Sequence, residues 1–338
     1  MPSVPPHGVH AACSRFLPMV DGAYLDCVCD DLALLLAARH VTNLRAVFGQ
    51  DWRFGIVEEG TALPRLDLPP ADADELIAQR TGWRPRWRQA CSPERDAADW
   101  CAELSAGNPV LVVGDAYHLP WLPYAGHEHM VHGFVVDGLS WDDGALTVHV
   151  TDPYDNMTQW GPAQPVTVRQ ELSSLGPGLA GGRWAVLVAA GQAWQADPGE
   201  QVAANAAGII SAAEDGTYQR FIDAHDRPGV EAARSLSLAT WLLARNRALH
   251  ARWLATLPDW QLPGSLAVRF ESEISEGWRR AREMCYIALR RVLDGRAAPP
   301  AAIRSVRQVA AAERSLAESM LPGAERRPVS KKPADAYQ

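Results

Sequence analysis

The stretch HGFVVDGLSWDDGALTVHVTDPY, His132 to Tyr154, limits the possible folds more than any other part of the chain. Two apolar runs flank Asp142-Asp143-Gly144, and an Asp-Gly pair between such runs is the composition of a tight hairpin turn. The chain must therefore contain an antiparallel strand pair. PVLVVGDAY from Pro109 and GRWAVLVAAG from Gly182 read as further strands, so residues 100–192 are expected to form an antiparallel sheet.

Helices precede that sheet. Asp30 to His40 carries Leu32, Leu35 and Leu36 at helical spacing, and Asp26, Asp30 and Asp31 crowd its start, where negative charge suits the helix dipole. ADADELIAQRTGW is amphipathic, and SPERDAADWCAELSAGN opens on Ser92-Pro93-Glu94 and closes on Gly107-Asn108. Helices before an antiparallel sheet make an α+β arrangement. After about residue 195 the chain turns rich in Ala, Arg and Leu, in helical stretches broken at Pro258, Pro263 and GRAAPP. The expected organisation is an irregular lead-in over 1–22, a catalytic domain over 23–195, a helical region over 196–322 and a disordered tail over 323–338.

Composition removes several classes of function. The formal net charge is -8, and no basic run occurs outside ERRPVSKKP, which argues against nucleic acid as a partner. No apolar run reaches about 18 residues, the length a membrane span needs, and the N-terminus lacks the pattern of a secretory signal. The six cysteines form no CxxC pair and fit no zinc template. The expectation is a cytoplasmic protein with reduced thiols.

Three stretches then belong together. Cys27 stands just before a predicted helix, where unpaired backbone N–H groups favour a thiolate and can stabilise an oxyanion. His132 begins an alternating strand, after His127 and His129 in HEHMVHG. Asp152 ends the next strand, and a hairpin sets the ends of neighbouring strands side by side. Cys, His, Asp is the order of a papain-type triad: thiolate attacks, imidazole moves the proton, carboxylate orients the imidazole. Each residue also has a plainer reading. Cys27 can be a core residue, and Asp152 can cap a turn. His129 and His132 can be a metal pair, although no third ligand is evident and no metal is expected. Cys29 is assigned to helix packing, and Cys91, Cys101 and Cys285 are placed in helices as packing or surface residues.

DCVCDDLALLLAARH followed by FG, then PVLVVGDAYHLPWLPY, HEHMVHGFVVDG and VTDPY, resembles the N-terminal domain of butirosin biosynthesis protein H and its relatives. The resemblance spans roughly residues 20–192. That domain is in turn similar to the cysteine peptidases that trim double-glycine leaders in bacteriocin export. The resemblance implies a papain-like cysteine-protease fold, with Cys27 as nucleophile, His132 as base and Asp152 as orienting acid. Asp115, Tyr117, His129 and Tyr154 are expected as substrate-binding or accessory residues. The leader peptidases place an oxyanion-binding glutamine six residues before the cysteine. Here that position is Asp21, a carboxylate, so the backbone N–H of Cys27 with another side chain is expected to take the role.

The activity implied is acyl transfer in natural-product biosynthesis. A carrier-protein thioester gives its acyl group to Cys27, and an amine acceptor takes it as an amide. No cofactor of the chain's own is expected, because the phosphopantetheine arrives on the acyl or peptidyl carrier protein. Thioesterase or peptidase action on water is the first alternative, and a non-catalytic papain-like binding module the second.

Overall fold

The computed structural model describes residues 8–58, 60, 62–67, 73–142, 144–194 and 196–321; the tail expected over 323–338 lies outside the described residues. The chain forms two compact units. One holds Met1–Phe48 and Pro70–Gln195, the other Gly49–Pro69 and Ala196–Gln338. A continuous segment over 23–195 was expected; instead residues 49–69 group with the C-terminal helices.

The strands in chain order are β1 (Val9–His10), β2 (Ile56–Val57), β3 (Arg65–Leu66), β4 (Trp83–Gln89), β5 (Val110–Asp115), β6 (Val131–Asp142), β7 (Ala145–Asp152), β8 (Asn156–Thr158), β9 (Gly161–Ala163), β10 (Val166–Glu171) and β11 (Arg183–Ala189). The helices are α1 (Cys27–Ala38), α2 (Leu44–Gly49), α3 (Ala73–Thr81), α4 (Pro93–Ser105), α5 (Leu172–Leu179), α6 (Pro198–Glu214), α7 (Thr217–His225), α8 (Val230–Leu254), α9 (Gly264–Arg269), α10 (Glu276–Leu293) and α11 (Ala301–Met320). The expected α+β class is what forms.

In the first unit the antiparallel sheet runs β10-β7-β6-β5-β11-β4, with β1 added to β6. The hairpin pairs Asp142 with Ala145, and Gly144 before Ala145 takes φ 85, open to glycine at little cost. Part of the expected lead-in is ordered: Val9 and His10 pair with Leu139 and Gly138, and Ser14–Met19 forms 3₁₀ turns. Trp83–Gln89 was not expected as a strand. It lies at the sheet edge, where Pro85 removes no ladder bond that the edge needs.

Each face of the sheet is covered. Trp100 and Leu104 of α4 and Leu172 and Leu175 of α5 pack with Val110, Val112, Phe134, Val136, Val148 and Val150. α1 packs on β5 and β6 and is buried nearly all round, with Leu32 to Ala37 inside. Its start is fixed by Asp26, whose carboxylate accepts from Val28 N–H at 3.0 Å and Cys29 N–H at 2.9 Å. Such a cap is worth about 1 kcal/mol. The helix thus begins at Cys27, three residues before the expected Asp30.

In the second unit α8 packs along α10, and α11 against α10 and α6. Trp253, Trp278, Phe221 and Phe270 fill this core. It also encloses an ion pair: Arg247 Nε donates to Glu313 Oε1 at 2.7 Å. Among the described residues no helix is long and apolar enough to cross a membrane.

Candidate active site

The N-terminus of α1 meets the start of β6. Cys27 is the first helical residue and half-buried, and its thiol reaches the Val131 carbonyl at 4.0 Å. His132 follows Val131, pairs with Gly114 of β5 and has no exposed surface. Its Nε2 lies 2.9 Å from Asp152 Oδ2, and Asp152 is the last residue of β7. The hairpin thus joins His132 to Asp152, and α1 brings Cys27 beside them.

The carboxylate is held as firmly as the imidazole. Asp152 Oδ2 also accepts from Trp121 Nε1–H at 2.8 Å, and Oδ1 accepts from Tyr154 N–H at 3.0 Å. The Tyr154 ring packs edge-on to His132 at 5.1 Å. With Nε2 donating to Asp152, the lone pair of a neutral His132 sits on Nδ1, a buried nitrogen that among the described residues has only the Cys27 thiol beside it. Burial alone would discharge this imidazole. The Asp152 charge and hydrogen bond, and then the Cys27 thiol, outweigh that, and its pKa rises from 6.5 to about 9.

Asp31 is a further acidic group at this site. It lies one helical turn after Cys27, fully buried, and among the described residues neither of its carboxyl oxygens finds a hydrogen-bond partner. Burial, then the charges of Asp152 and Cys27, pushes its pKa well above the usual carboxylate range. The neutral acid is therefore favoured. A Cβ on Gly133 would collide with the Asp31 carboxyl, so glycine there makes its room.

Cys29 lies deeper in α1. It is 5% exposed, and burial, followed by Asp26, drives its thiol pKa well up, so it is a packing residue. Cys101 and Cys285 are buried in helices as expected; Cys91 is not helical but stands exposed before α4. Asp21 accepts from Arg45 Nε at 2.9 Å, which ties its carboxylate to an arginine. Since Asp26 takes the amides of Val28 and Cys29, the Cys27 N–H is the first-turn amide left beside the thiol.

The accessory residues gather around a different histidine. His129 Nδ1 lies 2.6 Å from Asp115 Oδ2, and its ring stacks on Tyr117 at 4.1 Å. Asp115 also accepts from Tyr117 N–H at 3.1 Å. Burial opposes its charge, but the His129 bond and the backbone donors lower its pKa below the usual value. Asp115, His129 and Val131 line a cleft of about 510 Å³ together with Gln89 and Arg183. His127 stacks instead on Trp160. The supposed metal pair of His129 and His132 is split between two carboxylates. A different group, Asp115, His118 and His129, brings possible ligand atoms within 4.8 Å of one another. Trp121, His118 and Asp31 escaped the sequence reading. HLPWLPY offered no periodic signal for the first two, and Asp31 looked like a charge at an exposed helix start.

Residues 34–153 match the family model described as butirosin biosynthesis protein H, N-terminal. That stretch is similar to the family's N-terminal domain. The match is narrower than the resemblance expected over 20–192. The matched stretch takes in Asp115, Tyr117, His129, His132 and Asp152, while Cys27 precedes its start and Tyr154 follows its end. No curated protein matches the chain.

Proposed function

We propose that the chain is a cysteine-dependent acyltransferase of antibiotic or related natural-product biosynthesis. The observation that carries the reading is the buried His132–Asp152 pair, whose open nitrogen, Nδ1, is in the ring beside Cys27. An imidazole so placed can take a proton from a neighbouring thiol as it attacks. The domain match supports the biosynthetic setting.

In this reading the Cys27 thiolate attacks the carbonyl of a carrier-protein thioester. The C–S bond to phosphopantetheine breaks, and that leaving thiol takes the His132 proton. The acyl-enzyme then meets an amine, a C–N bond forms, the bond to Cys27 breaks, and the product is an amide. The first step exchanges one thioester for another, and aminolysis of a thioester runs downhill, so neither ATP nor a metal is required. The donor is an acyl or peptidyl carrier protein, the acceptor a small amine, and the setting the cytoplasm.

The test is intact mass after exposure to S-acetyl-N-acetylcysteamine. Wild type and Cys29→Ala are expected to gain one acetyl group and Cys27→Ala none, with all three folded by circular dichroism. An adduct that survives Cys27→Ala overturns the assignment. If added amines leave acetate as the sole product at every concentration, the protein is a thioesterase or peptidase.

A further inference from the structure

We propose that Asp115, His118 and His129 form a binding site for one divalent transition-metal ion of the Zn²⁺ type, apart from the catalytic cysteine. The site goes beyond the acyltransferase reading and does not depend on it. One ligand atom from each of the three side chains lies within 4.8 Å of the other two. Two imidazoles and one carboxylate are the donor set of a Zn²⁺ site that keeps a place for water. Mg²⁺ and Ca²⁺ take oxygen ligands and suit such a set poorly.

Each ligand stands on a fixed piece of backbone. Asp115 is the last residue of β5 and pairs with Val131 of β6. His118 closes the 3₁₀ turn that follows, Ala116–His118. His129 lies two residues before β6. The two segments are tied together: Ala116 N–H donates to the Met130 carbonyl at 2.8 Å, and Gly126 N–H to the Tyr117 carbonyl at 2.9 Å. Helix α5 backs His118 closely, since a Cβ on Gly178 would stand 3.2 Å from the His118 Cβ.

The side chains are oriented as ligands are. Tyr117 N–H donates to Asp115 Oδ1 at 3.1 Å, which leaves Oδ2 for His129 Nδ1 at 2.6 Å. The Tyr117 ring stacks on His129 at 4.1 Å, and the His118 ring stands edge-on to His129 at 6.0 Å. Supporting contacts of this kind hold ligands in place around a metal. Zn²⁺ bonds of about 2.0–2.2 Å set tetrahedral ligand atoms about 3.3 Å apart, so Asp115 and His129 would part slightly and His118 move in. With the ring proton on Nε2, Nδ1 and Oδ2 would both turn lone pairs to the ion. The His129 side chain is 68% exposed, which leaves it room to turn. An exposed ion pair adds about 0–1 kcal/mol to stability, so folding alone does not account for the cluster.

The ion would not act at the thiol. Asp115 and His129 line the cleft of about 510 Å³, and Cys27 does not. The open coordination position therefore belongs to the cleft.

The experiment uses the full chain, stripped with EDTA and returned to chelator-free buffer. Zn²⁺ binding is followed by calorimetry and Co²⁺ binding by visible absorption. Wild type is expected to bind one equivalent of Zn²⁺. Co²⁺ should give the d–d bands of a nitrogen–oxygen site without sulfur-to-metal charge transfer. His118→Ala and His129→Ala should each weaken Zn²⁺ binding about 100-fold or more, since losing a group that merely orients a ligand already costs about 10–100-fold. His127→Ala, from the same loop but stacked on Trp160, should bind as wild type does. Circular dichroism checks each fold, and if His118→Ala fails to fold, the exposed His129 carries the test. Unchanged binding in His129→Ala overturns the inference, as does a wild type that takes up no Zn²⁺ or holds Mg²⁺ equally tightly. A charge-transfer band that Cys27→Ala or Cys91→Ala abolishes would put the ion on a thiol and equally overturn it. No reaction is read, so a failure of Cys27 to accept an acyl group leaves the metal result standing.

Discussion

Each unit buries a histidine almost completely, and the two are driven in opposite directions. His132 in the sheet unit is 0% exposed and is raised to about 9; His250 in the helical unit is 1% exposed and falls to about 3. Burial opposes the imidazolium in both cases. The difference is the partner: Asp152 carboxylate for His132, and for His250 the Gly49 carbonyl, which accepts from Nδ1 at 2.7 Å, with Arg247 adding like charge. The carbonyl also favours the cation, but too weakly to offset burial; the full negative charge of Asp152 outweighs it. The buried carboxylates differ likewise. Glu313 accepts from Trp52, Tyr218 and Arg247, and that network closes on itself. The Asp152 network ends at an open nitrogen near a thiol. A closed network holds an architecture together, whereas an open one can accept a proton.

The largest expected effect breaks the closed network. Glu313→Gln leaves the Arg247 guanidinium buried without its counter-charge, which typically costs about 3–5 kcal/mol. The loss should appear as a lower urea midpoint for the helical unit. Replacing both partners, Arg247→Met with Glu313→Leu, removes the charge problem altogether and should cost less than either single change. A double variant weaker than both singles would mean that the pair stabilises the unit outright.

Breaking the open network should show in chemistry before stability. Asp152→Asn keeps the side chain's shape but loses the charge that outweighs burial at His132. The imidazole pKa then falls, and each unit below the working pH removes about tenfold of the protonated form. Acyl loading at pH 7 is expected to slow about 10–100-fold, with its upper pH limit moved down from about 9. Loading rates across pH, with circular dichroism as the fold control, decide it. A loss that tracks unfolding would leave Asp152 as a turn cap.

Legibility in the sequence follows the same division between local and distant causes. The β6–β7 hairpin was readable because alternation and the Asp-Gly turn are neighbours in the chain, and it carries His132 to Asp152. The α4 boundaries were readable from Ser92 and Pro93, which act within one turn. β4 was not, although WRPRWRQ alternates Trp83, Pro85 and Trp87 with arginines, because a proline argues against a strand and only the edge position accommodates it. Nor was the exchange of residues 49–69 into the helical unit, since Trp52 has its partner in Glu313, 261 positions away. Trp121 is missed for a similar reason: an irregular loop delivers its indole to Asp152. Asp31 misled, because a carboxylate early in a helix normally faces water, and here the helix is enclosed on all sides.

The gentlest test is pH itself, and it separates the two histidines without a substitution. For His132 the folded pKa lies above the unfolded value of 6.5, so its contribution is complete below 6.5 and is lost as pH rises through about 9. For His250 the folded pKa lies below 6.5. The unfolded chain then binds the extra proton, and stability present above 6.5 is lost as pH falls toward 3. The slope is at most about 1.4 kcal/mol for each pH unit. The helical unit should therefore weaken first on the acid side, and the site around His132 on the alkaline side. Hydrogen exchange at pH 5.5, 7 and 9.5 can assign each loss to its unit. His250→Gln should blunt the acid loss and leave the alkaline one, because the amide can still donate to Gly49 and has no proton to bind. An acid loss of full size in His250→Gln would place the responsible group elsewhere, and the contrast between the two buried rings would then describe pKa values without consequence for the fold.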